Sequence, residues 1–113
     1  MLTHTNKQNP TMRRLFGTRL DGVVTAAHFG RGGRILWVRA YERRGPTWSD
    51  HVLLDRDQLV QRLEAGKRFY TGTRVKFQAS EFELEKVVNL RDGDIVTEGA
   101  KGNGDRLEGV GAL

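Results

Sequence analysis

The chain reads as an α+β domain: a mostly antiparallel curved sheet, or small barrel, of about five to six strands with one short helix, in the order β-β-β-α-β-β-β. Three observations predict it. Short runs rich in valine, isoleucine and aromatic residues recur along the chain, separated by glycine-containing turns. One segment, "DRDQLVQRLEAG", combines helical spacing of apolar residues with start and stop signals. The length, 113 residues, suits a single domain able to bury a core without staples, and the absence of cysteine removes disulfides as an option.

The elements follow in order. Residues 1–16 are polar, with Asn9 and Pro10 as a breaker, and read as a flexible basic arm carrying Arg13 and Arg14. The folded body is expected over residues 17–98. Arg19–Phe29 is a first strand. "GRGG" (Gly30–Gly33) is a hairpin loop rather than a phosphate cradle, because a strand-like run and not a helix follows it. Arg34–Glu42 is the second strand and His51–Leu54 a short third. Asp55 is the helix N-cap, with Gln58 three residues on, where a capping box needs it. Leu54 and Leu59 fit a hydrophobic staple, Leu59, Val60 and Leu63 form one apolar stripe, and Gly66 supplies the stop. Three turns are too short to stand alone in water, so the helix must lie on a sheet. Lys67–Phe77 is a strand, kinked at Gly72. Phe82–Leu90 and Ile95–Glu98 form a hairpin closed by Asp92 and Gly93. Residues 99–113 hold five glycines and no periodicity, and read as a flexible tail.

The net charge of +5 is unevenly spread: residues 1–44 hold nine basic and two acidic side chains, residues 45–113 ten and twelve. A cationic half of this kind raises the expectation of a polyanionic partner, with a solubilising surface as the alternative. No apolar run approaches the roughly 20 residues of a bilayer span, and the first residues lack an apolar signal-peptide centre, so a cytoplasmic location is expected.

Alternation along the strands sorts the candidate functional residues. In the second strand, Leu36, Val38 and Ala40 share a core-like face, while Ile35, Trp37, Arg39 and Tyr41 share the other. Arg43 and Arg44 follow in the connector, close to Trp48. After the helix, Phe69, Thr71, Val75 and Phe77 form an apolar face, and Arg68, Tyr70, Arg74 and Lys76 a basic and aromatic one. Rings that stack on bases beside cations that neutralise phosphate are what single-stranded nucleic acid requires. The expectation is therefore a small non-enzymatic module binding single-stranded DNA or RNA through Trp37, Arg39, Tyr41, Arg43, Arg44, Arg68, Tyr70, Arg74 and Lys76. The plain structural alternative is that Trp37 and Tyr41 are core with Arg39 at the rim, and the other functional reading is a protein-interaction or assembly module that presents a sheet edge or apolar face to a partner protein.

The stretch "VVTAAHFGRGGRILWVRAYERRGPTWSDHVLLDRDQLVQRLEAG", about residues 22–66, resembles the transcriptional coactivator (positive cofactor four) single-stranded DNA-binding family. The likeness is carried by a strand, a glycine-containing turn, the segment "VRAYERRG" (Val38–Gly45) and the strand-to-helix run "HVLLDRDQLVQRL" (His51–Leu63). It implies a curved antiparallel sheet, a homodimer formed through the helices, and melted or single-stranded DNA as the ligand.

Catalytic and metal chemistry finds little footing. His4, His28 and His51 are scattered without ligands at metal spacing, and no cofactor is expected. Ser49, Asp50 and His51 adjoin, but neighbours on an extended chain point apart and cannot form a relay. Glu81, Glu83 and Glu85 alternate on one strand face, which suits an acidic edge opposite cations better than acid–base work.

Overall fold

The computed structural model describes residues 20–75 and 82–113. Among them run β1 (Gly22–Phe29), a 3₁₀ turn (Arg31–Gly33), β2 (Ile35–Arg44), β3 (Thr47–Trp48), β4 (Val52–Asp55), α1 (Arg56–Glu64), β5 (Phe69–Arg74), β6 (Phe82–Arg91), β7 (Asp94–Thr97) and β8 (Gly111–Ala112). The strands form one curled mixed sheet in the order β3-β2-β1-β5-β6-β7, with β4 also on β2 and β8 also on β1. The expected α+β class stands, with one α-helix among the described residues. The sheet is mostly antiparallel, as expected, and departs from that only where β1 runs parallel to β5 and β8. The cause lies in the connections. β1, β2 and β4 alternate in direction, α1 carries the chain back, and β5 must then run alongside β1 in the same sense.

Local signals formed the expected local structures. The Asp55 carboxylate accepts from the Gln58 N–H at 2.8 Å and the Gln58 side chain accepts from the Asp55 N–H at 2.9 Å, so the capping box is complete. Gly66 ends the helix with φ +89°, a conformation open to glycine at no steric cost. Asp92 and Gly93 both hold positive φ and turn β6 into β7. Leu59 is buried, with Val60 and Leu63 beside it against Val24, Val38, Phe69, Val88 and Ile95. The apolar stripe of α1 is thus consumed by its own sheet.

Three bulges change which side chains meet. In β1, Thr25 is extra, since Val24 pairs with Ala40 and Ala26 with Arg39. In β2, Leu36 is extra, since Phe29 pairs with Ile35 and His28 with Trp37. The second bulge corrects the expected facing: Ile35 joins Val38 and Ala40 in the core, and Leu36 is turned out and exposed. In β5, Thr71 alone opposes two residues of β6, and its hydroxyl accepts from the Lys86 N–H at 3.1 Å. Gly72 follows this bulge; a Cβ there would collide with the Glu83 carbonyl oxygen.

The sheet is covered on both sides. The face away from α1 carries a second cluster of Val23, Tyr70, Phe82 and Leu84, with Tyr41, Trp48 and Val87 against it. Phe82 lies 5.1 Å from the Tyr41 ring and 5.0 Å from the Trp48 ring. In a flat sheet β6 would stand three strands, about 14 Å, from β2. Strong twist brings these corners together.

The C-terminal stretch is not the expected flexible tail. Ala100, Asp105 and Leu107 are buried, Arg106 bridges Val96, and β8 pairs with β1. Asp105 is the anchor. Its carboxylate accepts from the Ile35 N–H at 2.8 Å, the Ile95 N–H at 3.0 Å, and Arg56 Nε and Nη2 at 3.0 and 2.8 Å. One side chain therefore ties the start of β2, the start of β7 and the first turn of α1. The expected arm over residues 1–16 lies outside the described residues.

Candidate nucleic-acid interface

The two-residue repeat of β2 sets Trp37, Arg39, Tyr41 and Arg43 in line on the side away from α1. The alternate residues point to the helix, where Glu42 meets Arg62 at 2.8 Å. Trp37 is 37% exposed, and the His28 ring lies against it at 4.3 Å with planes 13° apart. His28 is itself held, with Nδ1 2.9 Å from the Leu113 carbonyl oxygen. The tryptophan thus stands on a platform with part of its surface in water.

Arg39 is held in place. Its Nε donates to the Thr25 hydroxyl at 3.1 Å, and that hydroxyl lies 3.3 Å from the Arg39 carbonyl oxygen as its donor. The bulge at Thr25 is what brings this hydroxyl to Arg39. Ala26, opposite Arg39 on β1, is too small to cover it, while Leu53, opposite on β4, is 61% exposed. The Tyr41 ring has the Arg74 guanidinium 5.3 Å above it and His51 edge-on at 6.1 Å. The Arg43 guanidinium lies 5.7 Å from the Trp48 ring, and its Nε donates to the Gly45 carbonyl at 2.8 Å. The face alternates flat rings with flat cations, which stack on one another and on planar ligands alike.

Five of the nine expected residues, Trp37, Arg39, Tyr41, Arg43 and Arg74, come together here. Tyr70 does not: it is 1% exposed within the second cluster, because the face of β5 read as solvated is roofed by Phe82 and Leu84. Arg68 stands apart on the helix side, lining a cleft of about 280 Å³ with Leu63, Lys67 and Leu90. Arg44 falls on the opposite side of β2 from Arg43, and both border a cleft of about 220 Å³ with Asp21, Glu42, Lys67 and Phe69. Lys76 lies outside the described residues. The sequence reading passed over His28, Thr25, His51 and Phe82. Each comes to this face from outside β2, which spacing alone does not supply: His28 by strand pairing, Thr25 by its hydrogen bond to Arg39, and His51 and Phe82 by ring contacts with Tyr41.

Among the described residues no group of three or more His, Asp or Glu side chains is placed to hold a metal ion. The resolved shifts in proton affinity lie away from this face, at the clasp. Burial pushes the Asp105 carboxyl up, but the hydrogen bond from Arg56 and those from the Ile95 and Ile35 N–H groups outweigh it and hold it below the ordinary carboxylate range. Arg56 is raised in turn, chiefly by its hydrogen bond to Asp105.

Fold and face together define a small α+β protein with a basic and aromatic sheet surface. No family model matches the chain, and no curated protein or solved structure matches it either. No helix among the described residues is long and apolar enough to cross a membrane.

Proposed function

We propose that the protein binds single-stranded nucleic acid, without catalysis, along the outward face of β2. The observation that carries this reading is the row Trp37, Arg39, Tyr41, Arg43, in which ring and guanidinium alternate on one strand and Trp37 keeps part of its surface in water. Bases stack on the rings with little regard to sequence, and Arg39, Arg43 and Arg74 neutralise phosphates and release counterions. The likeness of residues 22–66 to the coactivator family points to the same ligand.

Fluorescence anisotropy with a labelled mixed-sequence oligonucleotide tests it. At about 50 mM salt binding is expected, and the logarithm of affinity falls linearly with the logarithm of salt, with a slope of roughly −0.7 per neutralised phosphate on a single strand. Absence of binding at that salt sinks the reading.

A protein-interaction module is the second reading, favoured by the exposure of Phe29, Leu36, Leu53 and Leu113. It is expected to show association that salt leaves unchanged.

A further inference from the structure

We propose that two copies of this chain pair through the outer edges of β4, antiparallel and centred on Leu53. The backbone directions are set by contacts already in place. The Arg43 N–H donates to the Asp21 carbonyl, on the β1 side of β2. Glu42 points the other way, its carbonyl accepting from the Ser49 N–H and its N–H donating to the Ser49 hydroxyl. Alternation then turns Val38 and Ala40 toward β4, where Leu54 and Val52 are their ladder partners. Leu53 and Asp55 must point outward. The Asp55 N–H is already taken by Gln58, whereas β4 has no strand among the described residues beyond Leu53.

Among the described residues no strand covers this edge. β4, "VLLD", holds neither proline nor lysine, and Leu53 is 61% exposed at its middle. It is also complementary to itself. An antiparallel pair centred on Leu53 exchanges two reciprocal N–H to carbonyl bonds between the two Leu53 residues, and each leucine covers the other. The same register sets His51 opposite Asp55 of the second copy, twice, so a cation-capable ring meets a carboxylate at both ends. A two-fold contact requires a patch that matches itself, and this patch does. In the resulting dimer the Trp37–Arg39–Tyr41 rows flank a continuous sheet, about 14 Å apart across the two β4 strands. The pairing stands apart from the nucleic-acid reading and is tested without any oligonucleotide.

Sedimentation velocity of the full chain over roughly 5–500 μM, a range suited to a small interface, reads the association directly. The sedimentation coefficient is expected to climb with concentration toward that of a dimer. Leu53→Pro removes the outward N–H while sparing the ladder to β2, and is expected to stay monomeric with an unchanged circular-dichroism spectrum. A Leu53→Cys variant guards against misfolding as an explanation. The chain has no cysteine of its own, and residues facing each other in such a pair stand about 5.5 Å apart between Cα atoms, within disulfide reach. It is expected to cross-link under mild oxidation at least tenfold faster than a control Leu36→Cys variant, also at an exposed leucine, after both rates are scaled to each thiol's reaction with a small-molecule reagent. A chain that remains monomeric throughout, a dimer that survives Leu53→Pro, or equal cross-linking of the two cysteine variants overturns the proposal.

Discussion

Two aromatic residues that look alike in the sequence have opposite fates, and substitutions separate them. Trp37 is partly exposed on the outward face of β2, whereas Tyr70 is 1% exposed between Val23, Phe82 and Leu84. Trp37→Ala is expected to lower affinity for a single-stranded oligonucleotide by about ten- to a hundredfold, since one stacked base is worth roughly 1–3 kcal/mol. Its melting temperature moves little. Tyr70→Ala is expected to cost about 3–5 kcal/mol of stability by leaving a cavity, with binding per folded molecule unchanged. Urea melts alongside anisotropy titrations check both. A Trp37→Ala protein that binds as tightly as the parent would remove Trp37 from the interface.

At the scale of the element, legibility followed range. The capping box of α1 and the Asp92 and Gly93 turn depend on residues two or three apart, so the sequence shows them plainly. Asp55→Ala is expected to cost about 1 kcal/mol, the worth of an N-cap, read as a shifted urea midpoint at unchanged slope. A loss below a few tenths would mean that packing of Leu59, not the cap, holds the helix start. Facing within strands was legible only where no bulge intervened. Val38, Arg39, Ala40 and Tyr41 alternate as expected, but Leu36 is the bulged residue, and it exchanges roles with Ile35. Nothing in "RILW" announces that extra residue, because it is set by Phe29 and His28 on the neighbouring strand. The burial of Tyr70 is equally non-local: it follows from the second cluster on β6 and from the twist that brings Phe82 to Tyr41 and Trp48. The candidate site was therefore visible as a strand face and invisible as a constellation.

At the scale of the whole molecule, one carboxylate holds distant parts together. Glycine content made residues 99–113 read as a tail, yet Asp105 lies 70 residues from Ile35 and 49 from Arg56 in sequence and bonds to both. Composition weighs apolar burial against chain entropy and does not count a buried ion pair with two added backbone donors. The Asp105 side chain is 1% exposed and that of Arg56 12%, so removing one partner strands the other. Asp105→Asn is expected to cost about 3–5 kcal/mol, a large share of the ~5–15 kcal/mol that holds such a domain. The sign of the pH dependence follows from the direction of the shift. The carboxyl is held below its ordinary value in the folded chain, so its contribution is complete above the unfolded value, about 3.9, and fades as pH falls through the folded one. Urea midpoints of the parent and of Asp105→Asn should differ by a constant amount from pH 7 down to about 5. Below about pH 4 the two should converge, because protonation removes from the parent what substitution removed from the variant. A gap that stays constant to pH 2 would show that the clasp works through shape and neutral hydrogen bonds. A widening gap would reverse the assigned direction of the Asp105 shift.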